Sequence, residues 1–257
     1  MVGLEFLKAE IRLPKCIRGE ERSFCASLRG QKILSLGRRG KNILFHLSGG
    51  AALVVHLRMT GRLQLFPRQA PLDKHTHAIF SFRQNPHQLR FNDARQFGRI
   101  FLEKKSEGNT IPSLGRLGPE PLEISSREFI RRVRVKKRMI KPLLLDQLFL
   151  AGIGNIYADE GLHRAHIHPR RNSRSLTDLE LSRLYRALRR ILREAIQSGG
   201  TSVRSYVDST GSRGRFQNFL RVYQREGERC RSCGTTIVRE QIGGRSSFFC
   251  PRCQPGP

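Results

Sequence analysis

The sequence predicts an α+β multidomain chain: an N-terminal antiparallel β domain, a helical domain and a C-terminal zinc ribbon. Three observations carry that prediction. Short apolar runs, many of them alternating, fill the chain as far as Lys104. Apolar residues then recur at helical spacing beyond Thr177, and four of the six cysteines stand in two CxxC pairs at the C-terminus.

The β-like runs are KILSL, NILFHL, ALVVHL, RLQLF, HAIFSF, QLRFN and RIFLEK, separated by Gly37, Gly49-Gly50, Gly61 and Asn85-Pro86. Glycine and proline punctuate extended segments, and runs at this spacing predict an antiparallel sandwich or barrel. The stretch SEGNTIPSLGRLGPEPLE reads as a linker. The expected limits are 1–108 for the β domain, 109–124 for the linker, 125–227 for the helical domain and 228–257 for the ribbon.

Thr177-Asp178-Leu179-Glu180 forms a capping box, and Leu181, Leu184, Tyr185, Leu188, Ile191, Leu192, Ala195 and Ile196 keep one apolar face until Gly199-Gly200. Arg183, Arg186, Arg189, Arg190 and Arg193 form a solvated opposite face. Ser126 to Lys141 is helix-compatible and dense in charge. Leu143 to Leu150 is apolar, Ala151-Gly152-Ile153-Gly154-Asn155 breaks it, and Ile156 restarts a helix. Glycines allow close backbone approach to a ligand and amides at a helix start favour phosphate, although a plain helix connection fits the GxGN pattern as well.

Cys230, Cys233, Cys250 and Cys253 give C-x2-C-x16-C-x2-C, the spacing of a zinc ribbon. TTIVRE and SSFFC are the expected strands, with Gly243-Gly244 at the turn. One structural Zn2+ supplies folding energy that so small a core cannot, and four thiolates leave no open position, so no catalytic metal is expected. Cys16 and Cys25 match no ligand pattern. His163, His166 and His168 lack supporting ligands and are assigned surface and packing roles; His46, His56 and His87 receive no ligand role.

Composition narrows the partner. With 48 Lys+Arg against 21 Asp+Glu the formal charge is +27, which attracts polyanions. No stretch reaches the roughly 18 apolar residues of a spanning helix, and MVGLEFLKAEIRLPK has no signal-peptide core. Nucleic acid is the expected partner, no membrane is expected, and unpaired cysteines point to the cytoplasm.

Taken in order, Lys141-Pro142 with LLLDQ, AGIGNIYADEGL, Ile167-His168-Pro169, Gly199-Gly200-Thr201, Val222-Tyr223 and RSSFFCPRC resemble the formamidopyrimidine-DNA glycosylase family, the Fpg/Nei base-excision repair enzymes. GRRGKNILFHL, VVHLRMTGRL, DKHTHAIF, RFNDARQFGRI and LGPEPL agree, so the resemblance covers essentially the whole chain. It implies a β-sandwich, a helix-two-turn-helix domain and a zinc finger holding duplex DNA. It also implies removal of oxidised purines such as 8-oxoguanine and formamidopyrimidine with AP lyase (β,δ-elimination) activity, by a monomer in the bacterial cytoplasm or nucleoid.

The same resemblance implies roles for residues. An enzyme acting on a base within a duplex flips that nucleotide out and leaves a hole in the stack. Met59, Arg95 and Phe97 match the family's stack-filling set, and favour the Fpg branch over the Nei branch. His75, Arg95, Lys136, Asn155 and Arg245 match DNA contacts. Lys41 matches the lysine beside the flipped nucleotide, and Arg245 the finger residue tied to the late elimination step. The loop Ser202 to Arg215 matches the base-holding loop, expected to be mobile without DNA.

One feature departs from the family pattern. The family's catalytic proline amine and following glutamate come at its N-terminus, whereas this sequence starts Met1-Val2-Gly3-Leu4-Glu5. Glu5 belongs to what reads as a strand and is not a stand-in. The expectation is a misplaced start, with the catalytic segment upstream. The competing expectations are a truncated, catalytically impaired damaged-DNA-binding paralogue and a basic zinc-ribbon RNA-binding protein. The stack-filling set argues against the latter.

Overall fold

The structure, a computed structural model, describes residues 1–106, 110–203 and 206–256. Two compact units form: Met1–Arg116 with Thr201–Gly214, and Leu117–Gly200 with Arg215–Pro257. The expected limit at 108/109 lies outside the described residues.

The first unit is a β-sandwich. Its strands are β1 (Phe6–Ile11), β2 (Ile33–Arg39), β3 (Asn42–Leu47), β4 (Ala51–His56), β5 (Arg62–Pro67), β6 (Thr76–Phe82), β7 (His87–Asn92) and β8 (Arg99–Lys104). They form two sheets, ordered β1-β6-β7-β5 and β2-β3-β4-β8, antiparallel throughout. Alternation explains the core: Phe80 and Phe82 on β6 and Phe91 on β7 share it with Phe45 and Leu47 on β3 and Leu53 and Val55 on β4.

A helix interrupts the β-region that the sequence reading treated as uniform. α1 (Glu21–Leu28) starts where the Glu20 carboxylate accepts hydrogen bonds from Arg22 N (2.9 Å) and Ser23 N (2.7 Å), and it turns Phe24 and Leu28 into the sandwich core. Two buried apolar positions in eight residues make a weak periodic signal, which packing supplements.

The second unit holds α2 (Ser126–Arg134), α3 (Ile140–Leu145), α4 (Asn155–Arg164), α5 (Asp178–Gln197) and a hairpin of β9 (Val238–Ile242) and β10 (Arg245–Phe249). The segment Ser126 to Lys141 is not one helix. Met139 is extended and bridges to Asn172, and Ser173 Oγ donates to Lys136 O while accepting from Arg138 N. These tertiary bonds outweigh helix propensity across the turn. The capping box of α5 is complete, with Glu180 N donating to Thr177 Oγ1 and Thr177 N to Glu180 Oε2. Leu181, Leu184, Leu188 and Ile191 are buried, and Gly199 (φ +69°) ends the helix in the left-handed region. α4 crosses α5 closely at Gly161, where a Cβ would lie 2.5 Å from Leu188 Cδ2. Among the described residues no helix is long and apolar enough to cross a membrane.

Glu160 on α4 is buried, and its carboxylate accepts hydrogen bonds from Arg221 N (3.0 Å), Val222 N (2.9 Å) and Tyr223 N (2.9 Å). Glu160→Ala strands three backbone donors at about 1 kcal/mol or more each. A loss of about 3 kcal/mol in denaturant unfolding is the expected outcome; a change below about 0.5 kcal/mol, typical of a surface site, contradicts it.

Candidate metal centre and nucleic-acid interface

Cys230, Cys233, Cys250 and Cys253 bring their sulfurs within 4.8 Å of one another. Cys230 Sγ lies 3.9 Å from Cys253 Sγ, and Cys233 Sγ 3.4 Å from Cys250 Sγ. A tetrahedron with Zn–S bonds of about 2.3 Å has edges of about 3.8 Å, so the four thiols fit one Zn2+. Each CxxC turn supports its own sulfur: Ser232 N donates to Cys230 Sγ and Cys253 N to Cys250 Sγ, both at 3.4 Å. Thr235 hydrogen bonds pull the Cys233 thiol down to about 6. All four ligand positions are cysteines with no open position, so the ion they would hold is structural.

The three histidines surround the ribbon without entering the sulfur cluster. His163 Nε2 is 3.7 Å from Cys230 Sγ, His166 Nδ1 is 3.2 Å from Cys253 O, and His168 meets Phe249 edge-on at 4.5 Å. Burial drives His163 down to about 4, so it packs as a neutral ring. Cys16 is buried and Cys25 half-buried, both apart from the cluster.

The ribbon is fastened to the helices through β10. Lys141, fully buried, donates to Ser246 O (2.9 Å) and Ser247 Oγ (2.7 Å) and pairs with Asp159 Oδ1 (2.6 Å). Asp159 Oδ2 accepts from Phe248 N (3.1 Å), and Asn155 Nδ2 also donates to Ser246 O (2.8 Å). Burial pushes the Asp159 carboxyl up and the Lys141 ammonium down, against their mutual attraction. Gly243 (φ +57°) and Gly244 (φ +74°) make the two-residue turn, and the next residue, Arg245, is exposed. A Cβ on Gly243 would sit 2.7 Å from Pro142 Cγ, so only glycine lets the tip approach α3. Asn155, first residue of α4, therefore stands beside the strand that carries Arg245. Lys136 is exposed on the turn before α3.

In the sandwich unit, two loops meet. Arg95 Nη1 lies 3.4 Å from Met59 Sδ, and its guanidinium stands 5.6 Å from the Phe97 ring centroid. Met59 is 56% exposed and Phe97 52%, so this apolar group faces solvent and not the core. Asp93 shapes both loops: it accepts from Thr60 Oγ1, Arg95 N (3.2 Å) and Gly98 N (2.7 Å). Burial alone would raise Asp93, but these bonds outweigh it and hold the carboxyl below the ordinary range. His75 is half-buried at the same place, its carbonyl accepting from Asp93 N (3.0 Å).

Lys41 is exposed at the β2–β3 turn, next to Gly40 (φ +58°) and inside the turn closed by the Arg39↔Asn42 pair. It adds to burial and Arg58 in driving the His56 imidazole down to about 4. Glu5 is engaged by Arg83 Nε (2.9 Å) just before β1. In the loop 202–214, Asp208 Oδ1 accepts from Thr210 N and Ser212 N (both 2.9 Å), and Leu65 N of β5 donates to Ser209 O (3.1 Å). Arg204 and Ser205 of that loop lie outside the described residues.

The structure thus brings together Met59, Arg95 and Phe97 in one unit, with His75 on the adjoining loop, and Asn155 with the Arg245 hairpin in the other. Lys141, Asp159, Glu160 and Asp93 were missed as organisers. The Asp93 signal was present locally, as an aspartate ahead of ARQFG able to bond backbone amides within its own turn.

Residues 1–100 match the formamidopyrimidine-DNA glycosylase N-terminal domain, 117–207 the helix-two-turn-helix domain of the same enzymes, and 227–256 the zinc finger found in FPG and IleRS. A curated relative, a formamidopyrimidine-DNA glycosylase of Pelotomaculum thermopropionicum, is 50% identical over 255 residues, covering 98% of this chain and 92% of that one. A Lactococcus lactis Fpg solved with DNA containing an abasic site superposes with TM-score 0.92 at 35% identity, covering 100% of this chain and 94% of that one. A MutM solved with carbocyclic 8-oxo-G DNA gives 0.91 at 35% identity over the same shares.

Chelation of the metal is expected to release residues 228–256, read as lost amide protection there while the sandwich strands stay protected. Unchanged protection of β9 and β10 in the stripped protein contradicts the structural role.

Proposed function

The chain belongs to the formamidopyrimidine-DNA glycosylase family, and from that premise we propose that it excises oxidised purines from duplex DNA and cleaves the resulting abasic strand. The observation that carries this reading is the exposed group in which Arg95 reaches Met59 on one side and stands over the Phe97 ring on the other. A flipped nucleotide leaves a gap lined by base faces above and below. A thioether and a ring fill it, while the guanidinium reaches the orphaned partner base. The cost of unstacking, a few kcal/mol, is then offset by contacts available only once the base has left.

His75, Lys136, Asn155 and Arg245 hold phosphates in this reading. Cations and neutral donors supply sequence-independent affinity, which the +27 charge extends as a steering field. Asn155 supports the role by position: it opens α4, where backbone amides point outward and the helix dipole favours an anion. Arg245, on a hairpin fixed by Lys141 and Asn155, reaches the lesion phosphate during the late elimination, and Lys41 stands beside the flipped nucleotide. The zinc ion holds the hairpin and takes no part in the chemistry. The loop Ser202 to Arg215 holds the extruded base.

Covalent cleavage needs a secondary amine to attack C1′ and a carboxylate to move the proton. Glu5, paired with Arg83, does not supply that carboxylate. Three working parts follow: the sandwich 1–108, a helical part 125–227 after the linker 109–124, and the finger 228–257. The protein acts as a monomer in the bacterial cytoplasm, on the nucleoid.

Single-turnover excision of 8-oxoguanine from a duplex tests the reading. Met59→Ala is expected to lower the excision rate on the order of tenfold with the unfolding midpoint unchanged. Lys136→Ala is expected to weaken lesion-bearing and undamaged duplexes alike, with the salt slope reduced by about 1. A Met59→Ala variant that only loses stability, with its excision rate intact, overturns the wedge.

A further inference from the structure

A cleft of about 450 Å3 opens in the helical unit at the C-terminal ends of α4 and α5, lined by Arg164, Glu194, Phe216, Phe219, Arg221 and Arg231 among others. The ten residues of α4 rise about 14 Å from Asn155 to Arg164, so this cleft lies at the opposite end of the helix from the candidate phosphate contacts. Nothing in the reaction proposed above uses it.

Its chemistry is mixed. Phe216 is buried as the floor, and Phe219, with its ring 6.1 Å away, is 61% exposed at the rim. Glu194 is shared between Arg164 Nη1 (3.0 Å) and Arg190 Nε (2.8 Å), one carboxylate for two guanidiniums. Among the described residues, Arg221 Nη1 reaches Ser232 Oγ at 3.4 Å and Arg231 Nη1 reaches Asn218 O at 3.5 Å, both long bonds. Long bonds to neutral acceptors are readily exchanged for a carboxylate, whose two oxygens match the guanidinium fork.

We propose that this cleft is a docking site for an acidic peptide segment of a partner protein, with an aromatic or aliphatic side chain seated on Phe216 and Phe219 and carboxylates held by Arg221 and Arg231. Arginine beside exposed aromatic surface is the composition of protein–protein hot spots. The proposal is independent of the glycosylase reading.

Fluorescence anisotropy with the zinc-loaded full chain tests it, using a short fluorescein-labelled peptide of aspartate and glutamate around one phenylalanine. Saturable binding in the micromolar range is expected, weakened about tenfold or more by Phe219→Ala or by replacing the peptide's phenylalanine with alanine. Because Phe219 is exposed, its truncation opens no cavity, and affinity for an abasic-site duplex stays unchanged. Arg221→Glu gives the same loss from the charged side. Absence of binding to the wild-type chain, indifference to Phe219→Ala, displacement of the peptide by duplex DNA, or tighter Phe219-dependent binding of labelled adenosine monophosphate would each overturn the proposal.

Discussion

Two neighbouring carboxylates on α4, Asp159 and Glu160, hold the second unit together. Successive residues of a helix point about 100° apart, so one turn of α4 reaches two different segments. Asp159, paired with buried Lys141, grips β10 of the zinc ribbon, while Glu160 collects the amides of Arg221 to Tyr223 just ahead of it. A buried ion pair is weak evidence for net stability, since burial costs nearly as much as the attraction returns. Removing one partner nevertheless costs about 3–5 kcal/mol, so the pair fixes one arrangement. That arrangement is what sets Arg245 beside Asn155. A metal held by the four cysteines would close the ribbon, whose own apolar core is little more than Val222, Ile237 and Phe248.

The sandwich unit relies on the same device in miniature. Asp93 accepts backbone and hydroxyl hydrogen bonds from both loops that carry Met59, Arg95 and Phe97. Arg58 (φ +57°) and Gln96 (φ +59°), each adjacent to a presented apolar residue, adopt the left-handed backbone that side chains disfavour. Strain held beside exposed apolar side chains is typical of places where geometry serves a ligand. Its maintenance depends on a carboxylate whose pKa is held below the ordinary 3.8, so the loops hold at neutral pH and loosen only as pH falls through the depressed value.

Much of this was legible in the sequence, for physical reasons that differ by element. The strands were readable because each alternates against one sandwich core, and α5 because its capping box and apolar stripe are local. The ribbon was readable because metal geometry restricts cysteine spacing. α1 was not, since only Phe24 and Leu28 mark it, and the turn after Arg134 was not, since Ser173 and Asn172 impose it from afar. At the site, side chains that face solvent carried motif signals. The organisers Lys141 and Asp159 did not, because Lys141 meets Ser247 across 106 positions of sequence and charge alone reads as surface.

The central claim, that the chain handles oxidised purines in duplex DNA by capturing the flipped nucleotide, is tested most directly by comparing its affinity for a duplex carrying one 8-oxoguanine with its affinity for the same duplex undamaged. Tighter binding of the lesion-bearing duplex is the predicted result. Equal affinity for the two duplexes would contradict it.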